Sequence, residues 1–144
     1  MSSDSNRPFQ IELQLDIKTY DVDFAGVVSN IVYVRWLEDL RNAMLNQHFP
    51  LQRLLDSGVL PAVAQTRIDY KAPLRLTDRP KGRMWAKDVG EKYFLLEAEF
   101  VLDTQVVATA EQVAVFVRKD DWQPTNMPDE LAQLYIQMSD QAKD

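Results

Sequence analysis

The residues most able to do chemistry gather in YDVDFAGVVSN, Tyr20 to Asn30, just ahead of an amphipathic stretch. Asp21 and Asp23 stand one residue apart in a short loop, where Gly26 can supply a backbone angle that other residues resist. Ser29 or Asn30 suits the N-cap of the helix that follows, because a short polar side chain accepts from the free amides of a first turn. Ile31, Val32, Tyr33 and Val34 bring no carboxylate to neutralise the positive end of that helix. The end stays available to hold an anion or polarise a carbonyl. A carboxylate next to such a donor is a candidate acyl-transfer site. Aspartates at this spacing also suit a turn, through local hydrogen bonds. The residue types alone leave both roles open.

Other chemistries find little support. The chain has no cysteine, hence neither a disulfide framework nor a thiol nucleophile. His48 is its only histidine, which removes a His-rich metal site and leaves a Ser-His-Asp triad dependent on one poorly placed residue. Near a helix end, His48 is expected to interact with the terminal carbonyls. The net charge of −6 disfavours nucleic acid, which asks for a basic footprint. An anionic ligand would need lysines and arginines gathered locally. No metal and no separate cofactor are expected.

The elements that must position the loop follow from periodicity. At 144 residues the chain is expected to be one domain, 1–144, with a mobile lead-in over residues 1 to 8. Gln10 to Thr19 alternates as a half-buried strand. After the loop, Tyr33, Trp36, Leu37, Leu40 and Met44 recur at helical spacing, and the helix is expected to run from Asn30 to about Gln47. A short helical segment follows from Pro50 and Leu51, closing near Gly58. Leu60 to Leu74 alternates, with Ala62, Ala64, Thr66, Ile68 and Tyr70 assigned to one face. Gly82 to Val89, Lys92 to Leu102 and Gln105 to Val117 read as three more strands, with a hairpin tip at Asp103-Thr104. Pro128-Asp129-Glu130 opens a last helix. The pattern is α+β: an antiparallel sheet of about five strands wrapped on a long central helix. Tyr33, Leu37, Leu40 and Met44 should bury against Ile68, Phe94, Leu96 and Phe100.

No apolar run approaches the roughly 20 residues that span a bilayer. The N-terminal MSSDSNRPFQ has no apolar segment of a secretory leader, so a cytosolic location is expected.

The motif D-x-D-x-x-G-V-V followed by Y-x-x-W-x-E-x-x-R resembles the 4-hydroxybenzoyl-CoA thioesterase branch of the hotdog-fold superfamily. The matching residues are Asp21, Asp23, Gly26, Val27, Val28, Tyr33, Trp36, Glu38 and Arg41. A second match, Asp69-Tyr70-Lys71-Ala72-Pro73-Leu74, is similar to the Y-x-x-P-L strand end of that branch. The similarity runs over almost the whole chain, from about Ile11 to Pro128.

The resemblance implies a hotdog fold and hydrolysis of an acyl- or aroyl-CoA. It implies that Asp23 attacks the thioester or activates water, and that the backbone amide near Asn30 bonds the thioester oxygen. Gly26, Val27, Val28 and Tyr33 would touch substrate. Lys92, Arg118 and Lys119 would face the CoA phosphates, although each equally suits solvated surface, as do Arg83 and Lys87. Tyr33 and Trp36 at helical spacing more often belong to a core than touch a ligand, Trp85 is open, and Glu38 has a second carboxylate's place on the helix. The family often carries an aromatic-His pair where this chain has Ser29 and Asn30, a departure that bears on the acyl preference. A homodimer or homotetramer is implied, because such sites resemble clefts shared by two subunits. Two other readings stand beside this one. One is a non-catalytic module that binds acyl-CoA or a protein partner. The other is a hydratase, which would want a histidine earlier in the helix than His48.

Overall fold

A computed structural model describes residues 7–143. The elements in chain order are β1 (Ile11–Gln14), α1 (Asn30–His48), α2 (Leu51–Ser57), β2 (Val59–Tyr70), β3 (Lys81–Val89), β4 (Tyr93–Leu102), β5 (Gln105–Arg118) and α3 (Asp129–Lys143). The strands form one antiparallel sheet in the order β1-β3-β4-β5-β2. Connections of this kind follow from strands that alternate apolar and polar, with one face left to cover. The long helix α1 covers it, as the sequence pattern requires of a hotdog.

Helix α1 turns Val32, Tyr33, Trp36, Leu37, Leu40 and Met44 into the sheet. From the sheet, β4 answers with Phe94, Leu96, Ala98 and Phe100, all buried. The rings interlock edge to face: Tyr33 meets Phe100 at 5.3 Å and Trp36 at 5.2 Å. Burying each large apolar side chain is worth about 1.5–3 kcal/mol, so this stripe dominates the helix's anchorage. The expected helix–sheet core is present, and Trp36 is 5% exposed.

Several boundaries differ from expectation, each for a physical reason. Strand β1 ends at Gln14 rather than Thr19, and only the Leu15 amide reaches on, to the Pro80 carbonyl at 2.9 Å. Residues 7 and 8 are no loose lead-in. The Pro8 carbonyl accepts from the Ala86 amide, and Arg7 lies 3.7 Å over the Trp85 ring. Residues 1–6 of that lead-in lie outside the described residues. In β2 the expected single face is broken by a bulge: Val63 pairs with Ala114 but Gln65 pairs with Val113, leaving Ala64 without a partner. Pro61 and Val63 therefore face the helix before the bulge, and Thr66, Ile68 and Tyr70 after it. Alternation could not reveal this, since one inserted residue reverses the parity of all that precede it. Gly58 closes α2 in the left-handed region, φ 79°, as the helix-stop signal predicts.

His48 occupies the last turn of α1, but its ring turns away from the helix end and packs edge-on against Phe9 at 5.3 Å. Its Nε2 is buried without a partner. Burial lowers its pKa from 6.5, opposed by a hydrogen bond with the Gln10 backbone. The folded state thus favours neutral imidazole. Its contribution is complete above the unfolded value and is lost as pH falls through the lower folded one. His48→Phe keeps the ring contact and should flatten the loss of stability as pH falls below the ordinary imidazole range, read by urea denaturation at each pH.

Candidate active site

The loop between β1 and α1 is a small hairpin closed by its own backbone. A single 3₁₀ turn, Thr19–Asp21, leads in. Val22 bridges Val28, the Asp23 amide donates to the Val27 carbonyl at 2.9 Å, and the Gly26 amide donates to the Asp23 carbonyl at 2.9 Å. Gly26 makes that turn at φ 79°, a conformation costly for any side chain with a Cβ. The Val28 amide ties the hairpin to the Leu74 carbonyl, and the Ser29 amide to the Asp21 carbonyl, both at 2.8 Å. The strand-end segment after Tyr70 thus holds the loop from outside.

The two aspartates have separated roles. Asp21 is 6% exposed and its Oδ2 accepts from the Lys18 amide at 2.9 Å, so it braces the turn. Asp23 is exposed. Its Oδ1 accepts from the Ala25 amide at 2.9 Å and, more weakly, from Val27 at 3.5 Å. Its Oδ2 makes no hydrogen bond among the described residues. One oxygen orients the carboxylate while the other stays available to a reacting group.

Helix α1 begins where the hairpin returns. Ser29 is the N-cap, with extended angles and no side-chain capping bond. No carboxylate lies in the first turn, and the amides of Asn30 and Ile31 have no acceptor among the described residues. The Tyr70 hydroxyl donates to the Asn30 carbonyl at 3.0 Å, which fixes this end of α1 over the C-terminal end of β2. A free amide pair at the positive end of a long helix is a donor site already oriented for a developing oxyanion.

Not every expected contact residue is open to a ligand. Tyr33 and Val28 are core residues: Tyr33 is enclosed by Trp36, Tyr70 and Phe100. Burial, with a smaller push from Tyr70, raises its phenol to about 12, so it stays neutral. Val27 is half-buried and Gly26 exposed. Helical spacing marks Tyr33 for the core, and the sheet buries it there. Trp85 is buried on the outer face, its Nε1 bonded to Glu97 at 3.1 Å. Arg83 and Lys87 are engaged there in ion pairs with Glu12, Glu99, Glu97 and Glu111.

The basic residues expected near CoA gather at the opposite end of the sheet from Asp23. The Lys92 carbonyl accepts from Phe116, and the Lys119 amide donates to the Gly58 carbonyl, at the start of β2. Arg118 is held by Asp121 at 2.8 and 3.1 Å. The twelve residues of β2 separate this end from the loop, roughly 35 Å at ~3.3 Å per residue. One chain does not bring the carboxylate and these cations together.

A polar row on the concave face is absent from the sequence reading. Arg41 Nη1 donates to Gln112 Oε1 at 2.7 Å, and Gln112 Nε2 donates to Thr66 Oγ1 at 3.0 Å. Gln112 is buried, between inward-facing Ala110 and Ala114 on β5. That lone polar residue at an inward position was the available signal. Burial lowers the pKa of Arg41, opposed by Glu38, whose Oε1 lies 3.9 Å away. An i, i+3 ion pair is thus present, but the shorter bond goes to Gln112. Among the described residues no cluster of His, Cys, Asp and Glu is arranged to hold a metal, and no helix is long and apolar enough to cross a membrane.

Comparison with solved structures finds the same architecture. DHNA-CoA thioesterase from Staphylococcus aureus superposes with a TM-score of 0.80 at 15% identity, over 91% of this chain and 90% of that one. A gentisyl-coenzyme A thioesterase gives 0.74 at 22% identity, over 85% and 98%. A thioesterase complexed with coenzyme A and Zn from Thermus thermophilus gives 0.76 at 19% identity, over 90% and 93%. At these identities the likeness concerns the fold. Among curated proteins no sequence matches. The thioesterase-like superfamily model matches residues 17–134, a span that includes the hairpin, α1 and all of the sheet except β1. The chain belongs to the thioesterase-like superfamily and is a thioester hydrolase of hotdog fold.

Proposed function

We propose that the protein hydrolyses an acyl- or aroyl-CoA to the free acid and CoA, using Asp23 and the backbone amide of Asn30. The observation that carries this is the exposed, unbonded Asp23 Oδ2 on a backbone-closed hairpin that leads directly into the first turn of α1, whose amides lack acceptors among the described residues. Asn30 N–H polarises the thioester oxygen, and charge that builds there in the tetrahedral state is met by a donor already in place. Asp23 then acts in one of two ways. As general base it takes a proton from water, whose oxygen bonds the carbonyl carbon; the C–S bond breaks and CoA leaves as thiolate. As nucleophile its oxygen bonds that carbon directly, the C–S bond breaks with CoA leaving as thiolate, and water then cleaves the resulting anhydride to free acid and the Asp23 carboxylate. Single turnover in ¹⁸O-labelled water distinguishes the two, because only the anhydride route can carry label into the Asp23 carboxylate.

The active unit is a homodimer. Strand β2 is a sheet edge, and exposed apolar residues line it: Val63 at 40%, Tyr70 at 43%, with Ile31 and Val34 on the near side of α1. An uncovered edge of this length invites a second strand. The outer face of the sheet carries ion pairs of Arg83 and Lys87 with Glu12, Glu99, Glu97 and Glu111. Light scattering should give twice the chain mass at micromolar concentration. A monomer there ends the dimer reading.

A binding module without turnover has one observation in its favour: Asp23 Oδ1 already caps the turn. Hydrolysis across an acyl-CoA panel decides, since a module releases no free thiol.

A further inference from the structure

The short segment from Tyr70 to Leu74 holds both halves of the candidate site. The Tyr70 hydroxyl donates to the Asn30 carbonyl at 3.0 Å, and the Leu74 carbonyl accepts from the Val28 amide at 2.8 Å. The first bond reaches the start of α1, the second the hairpin that carries Asp23. Between them, the Lys71 and Ala72 amides both donate to the Val107 carbonyl, at 2.8 and 3.1 Å, which fastens the segment to β5. The Tyr70 ring is set by Tyr33, edge to face with centroids 5.0 Å apart. Burial raises the Tyr70 phenol above its ordinary value, so the hydroxyl stays a donor through neutral pH.

The atom that accepts from Tyr70 gives this bond a consequence beyond anchorage. The Asn30 carbonyl and the Ile31 N–H belong to one planar peptide, with the two groups pointing opposite ways. Ile31 N–H is one of the first-turn amides without an acceptor among the described residues. A hydrogen bond to the carbonyl oxygen fixes the plane of that peptide. It also draws electron density from the nitrogen through amide resonance, so the N–H becomes a stronger donor. The Asn30 N–H belongs to the preceding peptide and gains nothing of the kind. There the Ser29 carbonyl accepts from the Val32 amide at 3.0 Å and from no side chain among the described residues.

We propose that Tyr70 is a positioning residue for the hydrolysis, which orients and strengthens the Ile31 amide as a second donor to the thioester oxygen beside that of Asn30. This rests on the Asp23 and Asn30 reading above. A stronger donor gains most where the oxygen carries most charge, in the tetrahedral state, so the effect falls on kcat rather than KM. Losing an oxyanion donor outright costs about 10²–10³ in kcat. Polarisation through a neighbouring bond changes a hydrogen bond by roughly 10–30%, which on the same logarithmic scale is about 2–8-fold.

Tyr70→Phe keeps the ring against Tyr33 and removes only the hydroxyl. On octanoyl-CoA or benzoyl-CoA, kcat should fall about 2–8-fold, with KM and melting temperature near wild type. An unchanged kcat, or a loss confined to KM, overturns the proposal. Asn30→Pro then separates the two amides. Proline suits a first helical position, and the extended angles of Ser29, φ −64° and ψ 142°, suit a residue before proline. This variant loses the Asn30 N–H and keeps the carbonyl that Tyr70 holds. Adding Tyr70→Phe to it should lower the residual turnover by the same factor again. A silent second substitution means that Tyr70 acts through the Asn30 amide alone and overturns the Ile31 assignment. If Asn30→Pro fails to fold or to turn over, nuclear magnetic resonance of the ¹⁵N-labelled, substrate-free protein decides. Tyr70→Phe should move the Ile31 amide proton upfield and leave that of Asn30 nearly in place. No movement, or equal movement of both, overturns the proposal. Should wild type hydrolyse no acyl-CoA, the hydrolase reading falls by itself, and the Ile31 resonance still decides whether Tyr70 polarises that peptide.

Discussion

Asp23→Asn should lower kcat on an acyl-CoA by roughly 10²–10⁴, the range for losing a positioned acid–base group. Melting temperature should barely move. The structure makes this comparison clean, because Asp23 has two separable jobs. Its Oδ1 accepts from Ala25 and Val27, and an asparagine oxygen can accept the same bonds. Its Oδ2 is unbonded, and replacing that oxygen with an amide NH₂ removes both charge and nucleophile. The KM should change far less than kcat, since the interaction lost is one made in the transition state. Asp21→Asn is the internal control. Asp21 is buried and bonded to the Lys18 amide, so its substitution should register in melting temperature rather than in turnover. Near-normal hydrolysis by a folded Asp23→Asn protein would reduce Asp23 to a turn residue.

Phe100→Ala should cost about 3–5 kcal/mol, the usual loss for emptying a buried aromatic site. Phe100 is fully buried and its ring stands between Tyr33 at 5.3 Å and Trp36 at 5.8 Å. Both partners belong to α1, so the ring is one of the contacts through which the sheet holds the helix. Domains are typically stable by only about 5–15 kcal/mol, which brings this variant close to unfolding at body temperature. Urea denaturation should give a lower midpoint with an unchanged slope. A loss below about 1 kcal/mol would contradict the packing of α1 on β4. Activity should fall with stability, because the Asn30 amide is aimed only as well as α1 is seated.

Some of this was readable from the residues alone. The helix Asn30–His48 follows from apolar spacing of three and four together with a small polar N-cap. Strand β4 follows from alternation, with Phe94, Leu96, Ala98 and Phe100 on one face, and β3 and β5 follow from the turn signals that bound them. The hairpin's chemistry is local too. Asp23, Gly26 and the carboxylate-free first turn lie within twelve residues, and short-range backbone bonds shape them. The bulge at Ala64 was not readable, since it depends on where β2 meets β5 rather than on any residue's preference. Helical spacing did place Tyr33 in the core, whereas the substrate contact came only from the resemblance, and Phe100 and Tyr70 close around the ring. The Arg41–Gln112–Thr66 row joins residues from three elements far apart in sequence. A cavity of about 300 Å³ beside it has walls from α1, α2 and three strands. Periodicity tells which way a side chain points within its own element. What it then meets is decided by elements distant in the chain, and only the tertiary structure brings them together.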